Sequence, residues 1–132
     1  MIIQRPRYME KLIRGMGSGQ VKIVTGVRRC GKSFLLFDFF KSHLVGQGVP
    51  EANIFEMAFD RFSSRKYRDP EVFYPYLTER LEGVAGARYV LLDEVQLLGD
   101  FAEVLIDLIA MEGVDVYVTG GNAKLLSKDG VT

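Results

Sequence analysis

Residues Gly26-Val27-Arg28-Arg29-Cys30-Gly31-Lys32-Ser33 place two glycines, a lysine and a hydroxyl at the spacing G-x-x-x-x-G-K-[ST]. Gly26 and Gly31 let a backbone curl until successive N–H groups converge on an anion. The Lys32 amine can reach the β- and γ-phosphates of a nucleoside triphosphate, and the Ser33 hydroxyl can ligate magnesium. The candidate binding set is therefore Gly26, Val27, Arg28, Arg29, Cys30, Gly31, Lys32, Ser33 and Phe34. An ordinary glycine-rich turn with a coincidental lysine would look similar in isolation, so the flanking residues decide.

A second group of chemistry-bearing residues follows the apolar run Tyr89-Val90-Leu91-Leu92. Asp93 there could hold magnesium through its water shell. Glu94, one residue on, could polarise a water for in-line attack on the γ-phosphate. The plain alternative is an acidic pair closing a strand. A third polar position comes after Val116-Tyr117-Val118, where either Thr119 or Asn122 could hydrogen-bond the attacking water or the γ-phosphate. Asn122 also suits a glycine turn that simply leaves a strand.

The elements needed to bring these groups together are legible. Val21–Thr25 is a short β-branched run that reads as a buried strand, and Phe34–Phe40 is apolar enough for a helix packed on a sheet. Strand, glycine loop and helix is the order phosphate binding requires, because the helix N-terminus adds unpaired N–H groups and a positive dipole end. Residues 53–60 read as a second strand. Asp69 reads as the N-cap and Pro70 as the first position of a helix with Phe73, Tyr76, Leu77 and Leu81 inside. Pro75 conflicts with that helix and predicts either a bend or a start near Tyr74. Residues 88–94 lack alternation, the mark of a parallel strand buried on both faces. Phe101, Val104, Leu105, Leu108 and Ile109 define an amphipathic helix, and 114–120 a last strand. Residues 6–16 carry a weaker helical pattern ahead of a glycine linker. Alternating strands and helices predict an α/β fold, three layers deep, around a mainly parallel sheet whose strand ends share one ligand-binding edge.

Composition narrows the functional classes. With 48% hydrophobic residues in 132, the chain can bury a core and is not expected to be disordered. Seventeen basic residues balance seventeen acidic ones, which opposes a whole-domain field steering nucleic acid. One cysteine excludes an internal disulfide framework and suits a reducing cytoplasm. No apolar run reaches membrane-spanning length, and residues 1–7 lack the apolar core of a secretory leader. A cytoplasmic protein with no membrane partner is expected.

Taken together, Val24–Ser33, Leu91–Gln96 and Val118–Leu126 resemble the N-terminal ATPase domain of a prokaryotic AAA+-type family. In that family a G-V-R-R-x-G-K-S loop, a D-E-[IV]-Q strand end and a T-G-[SG]-N-[AS]-x-x-L segment recur in this order. The resemblance runs from about Arg5 to Leu126. It implies a P-loop NTPase core with ATP and magnesium as cofactors, Lys32 and Ser33 at phosphate and metal, Asp93 and Glu94 as the acidic pair, and Asn122 as sensor. On this reading Glu94, Lys32 and Asn122 are the catalytic candidates, and Ser33 and Asp93 the metal ligands.

Residues 1–132 then form one partial ATPase domain, with 1–20 an N-terminal helix and linker leading into it. A complete domain of this family continues into a fifth strand, an arginine finger and a helical lid. The core is therefore expected to be incomplete at its C-terminal end, with Val21–Thr25 at a sheet edge. Ile2-Ile3 or a second copy is the expected cover, so self-association enters as a candidate partner beside nucleotide. Hydrolysis driving or gating a conformational change is the leading activity. A slowly hydrolysing nucleotide-gated switch is the alternative, and a nucleic-acid-stimulated motor a third. The basic run Arg61, Arg65, Lys66 and Arg68 around Phe62 and Tyr67 suits a solvated loop better than a nucleic-acid contact. No N-K-x-D guanine-reading segment and no L-S-G-G-Q signature support GTPase or transporter classes.

Overall fold

The computed structural model describes residues 21–24 and 32–120. The expected helix over 6–16, the Ile2-Ile3 edge cover, the loop Gly26–Gly31 and the segment containing Asn122 lie outside the described residues. Four strands form one sheet: β1 (Lys22–Val24), β2 (Ile54–Ala58), β3 (Arg88–Asp93) and β4 (Val114–Thr119). Their order is β1-β4-β3-β2 and every pairing is parallel. Among the described residues β1 therefore lies at an edge, as expected.

Helix α1 (Lys32–Gly46) covers one face of the sheet, while α2 (Pro70–Glu82) and α3 (Phe101–Ile109) cover the other. The alternation of side chains along β3 explains the split. Tyr89 and Leu91 point to the α1 side, with Phe37, Phe40, Leu44, Ile54 and Tyr117. Val90 and Leu92 point to the other side, with Phe73, Leu77, Leu105 and Leu108. A strand buried on both faces has no polar phase, which is why its sequence shows a continuous apolar run. Phe40 packs on Tyr117 with ring centroids 4.6 Å apart, tying α1 to the centre of the sheet.

The strands are a little shorter than the sequence suggests: β2 ends at Ala58, β3 at Asp93 and β4 at Thr119. Asn53, expected in β2, instead closes a 3-10 turn over Glu51–Asn53. Its buried side chain gives 2.9 Å hydrogen bonds to the Ala85 and Ala87 carbonyls, tying the start of β2 to the approach to β3.

Asp69 caps α2 as expected, accepting from the Glu71 N–H at 2.9 Å, with Pro70 at the first helical position. The late start near Tyr74 does not occur: α2 begins at Pro70 and contains Pro75. Proline there forgoes the single bond that residue 75 would give to residue 71. The cap at one end of α2 and the burial of Phe73, Leu77 and Leu81 outweigh that loss. Gly113 turns the chain from α3 into β4 with φ 80, a left-handed conformation natural to glycine.

Candidate functional site

Register alone gathers the polar strand ends. Ala58 pairs with Asp93, Leu92 with Val118, and Val24 with Thr119. Asp93 and Thr119 thus sit side by side, with the end of β1 one strand further. Two strand spacings separate β1 from β3, so Val24 lies about 10 Å from Asp93. Residues 25–31 must leave from that point and return at Lys32, where α1 begins. Lys32, Ser33 and Phe34 form the first turn of α1, at the edge of the sheet where Asp93 emerges. Asp93 has the side-chain phase of Leu91, so it also faces the layer that α1 covers.

Within this edge the side chains are interlocked. Asp93 and Thr119 are 4% and 1% exposed. The Thr119 hydroxyl donates to Asp93 Oδ1 and accepts from the Glu94 N–H at 3.0 Å. A hydroxyl has one proton to give, and that proton is committed to Asp93. Thr119, one of the two residues considered for a sensor role, therefore holds the acidic pair in place, and Asn122 lies outside the described residues.

Glu94 turns the chain out of the strand in the left-handed region, φ 55 and ψ 51. A 3-10 turn over Val95–Leu97 follows, anchored by the buried side chains of Val95 and Leu98. The tight reversal brings Gln96 back beside Glu94, and Gln96 Nε2 donates to Glu94 Oε1 at 2.6 Å. In the sequence Gln96 stands only as the last residue of the D-E-V-Q stretch, with no role of its own; its reach to Glu94 depends on the turn.

Asp93 suits a cation. A buried carboxylate needs more compensation than one hydroxyl gives. Among the described residues no cluster of three or more His, Cys, Asp or Glu side chains could hold a metal by itself.

The basic segment after β2 is tied to the same edge through a chain of hydrogen bonds. The Phe59 N–H donates to the Asp93 carbonyl at 3.0 Å, Arg68 Nε donates to the Phe59 carbonyl at 2.8 Å, and the Gly99 N–H donates to the Arg68 carbonyl at 2.8 Å. Arg68 is thus structural, and Tyr67 stacks on Tyr76 with centroids 4.6 Å apart. Arg65 lies 4.9 Å from the centroid of the Phe62 ring, which is 79% exposed. Residues 62–68 form a 3-10 helix, where the sequence suggested a plain loop.

A family model described as "AAA domain" matches residues 18–132, and the chain belongs to that family. A Haemophilus influenzae protein described as uncharacterized is 31% identical over 126 residues, covering 96% of this chain and 31% of that protein. The chain thus spans about a third of the length of this relative. No solved structure matches it. Membership places the chain among nucleotide-binding, ATPase-type domains. No helix among the described residues is long and apolar enough to cross a membrane.

Proposed function

We propose that the chain binds ATP with magnesium and hydrolyses its γ-phosphate bond. The observation carrying this reading is the interlocked edge Asp93–Thr119–Glu94, which sets a buried carboxylate on the α1 side of the sheet and a second, half-buried one next to it in the chain. The amides of Gly26–Gly31, with Lys32 and the first turn of α1, would cradle the phosphates. Ser33 and Asp93 would hold magnesium, which when bound neutralises charge on the β- and γ-oxygens.

Glu94 takes a proton from a water in line with the bond between the γ-phosphorus and the β–γ bridging oxygen. The water oxygen bonds to phosphorus, the bridging bond breaks, and ADP leaves with its electron pair beside inorganic phosphate. Asn122 would orient that water or the γ-phosphate. The free energy released would drive or gate a conformational change in a longer protein. Nucleotide is the proposed partner, with self-association along β1 and a cytoplasmic setting part of the same reading.

The test is magnesium-dependent ATP turnover by wild type and Glu94→Gln. The variant should keep ATP affinity and lose about 10²–10⁴ in kcat. Full turnover by the variant would remove Glu94 from the role of base.

A further inference from the structure

Resting on Glu94 as the base, we propose that Gln96 is a positioning residue that fixes the Glu94 carboxylate for water activation. The turn carrying both side chains is held by other groups. Val95 and Leu98 are buried in the core, and Leu97 and Leu98 N–H groups bond the Glu94 and Val95 carbonyls at 3.1 and 2.9 Å. The 2.6 Å bond from Gln96 Nε2 to Glu94 Oε1 is therefore not needed to close the turn.

Nor does the amide serve the core. Gln96 Oε1 is buried and has no hydrogen-bond partner among the described residues. A buried acceptor left unpaired is unfavourable, and such groups in folded proteins call for an explanation. Reversing the amide would satisfy nothing, because it would turn the carbonyl oxygen onto the carboxylate.

What the amide does accomplish is local. A glutamate side chain has several rotatable bonds, and a donor on one oxygen removes much of that freedom before substrate arrives. Among the described residues Oε1 is the carboxylate oxygen so engaged, which leaves Oε2 to accept the proton of the attacking water. A neutral donor orients the carboxylate without the full ion pair that a lysine or arginine would impose.

The experiment compares wild type, Gln96→Met, Glu94→Gln and the double variant, on the full chain, for ATP turnover and calorimetric ATP affinity. Methionine keeps the side-chain length and deletes the donor. Gln96→Met should lower kcat about tenfold while ATP affinity stays within about twofold. In the Glu94→Gln background it should have no further effect, because the two residues act as one unit. Normal turnover by Gln96→Met beside an inactive Glu94→Gln would overturn the proposal and leave the base assignment standing. An equal loss of ATP affinity, or a loss that adds in full to Glu94→Gln, would also overturn it. Turnover retained by Glu94→Gln would overturn both.

A readout independent of turnover is the Gln96 side-chain amide resonance in 15N-labelled protein. Glu94→Ala should move it to the range of solvated glutamine amides, and an unmoved resonance would refute the contact.

Discussion

Replacing Thr119 with valine keeps the shape of the side chain and deletes its hydroxyl, so the loss is almost purely polar. Two groups are stranded: the Asp93 carboxylate loses its donor, and the Glu94 N–H loses its acceptor. Both Thr119 and Asp93 are buried, so water does not readily replace the missing partner. A hydrogen bond to a charged group is worth about 1.5–3 kcal/mol, and a buried donor left unsatisfied costs about 1–3 kcal/mol. The expected destabilisation is about 3–5 kcal/mol, a large share of the roughly 5–15 kcal/mol that holds a domain folded. For 132 residues each kcal/mol corresponds to about 3–4 °C, so Tm should fall by about 9–20 °C. Urea unfolding of wild type, Thr119→Val and Thr119→Ser at neutral pH measures it. Serine keeps the hydroxyl and should cost only about 1 kcal/mol for its missing methyl. In an Asp93→Asn background, where no charge is left bare, the valine penalty should shrink. A valine variant within about 0.5 kcal/mol of wild type, or a serine variant equally destabilised, would refute the reasoning.

Asn53→Ala should destabilise by about 2–3 kcal/mol in urea unfolding, because the Ala85 and Ala87 carbonyls lose their shared donor. Asn53→Asp should be worse at neutral pH and improve on acidification, as the carboxyl gains a proton to give. Burial, and next the Asp115 carboxylate, raise the Tyr117 pKa far above its ordinary value. The folded state thus favours the protonated phenol, while the unfolded chain ionises near pH ~10. That contribution to stability is complete below about pH 10 and is lost as pH rises above it. Tyr117→Phe should therefore flatten the alkaline decline of the urea midpoint. Part of the decline should survive, since Tyr74, hydrogen-bonded to Asp107, and Tyr89, desolvated by burial, are shifted in the same direction.

The features legible in the sequence were those repeated over several residues. The apolar run before Asp93 and the i, i+3, i+4 pattern of α3 each state one burial preference many times over. Asp69 and Pro70 marked the start of α2 because cap chemistry is local. The features that were not legible depend on a single backbone angle or on contacts distant in sequence. Nothing in Asp93-Glu94-Val95-Gln96 announces that Glu94 adopts a left-handed conformation, and without that turn Gln96 does not reach its carboxylate. Asn53 looked like part of β2 because its partners lie 32 and 34 residues away. Thr119 was named as a possible contact to nucleotide or water. Its commitment to Asp93 follows from strand register, which β-propensity cannot supply.

Magnesium-dependent nucleotide binding, measured by calorimetry for wild type, Lys32→Ala and Asp93→Asn, tests the proposed site most directly. ATP should bind wild type, Lys32→Ala should abolish binding, and Asp93→Asn should remove most of the dependence on magnesium. Unchanged ATP binding by Lys32→Ala in a folded protein would contradict the assignment of Gly26–Ser33 and with it the proposed site.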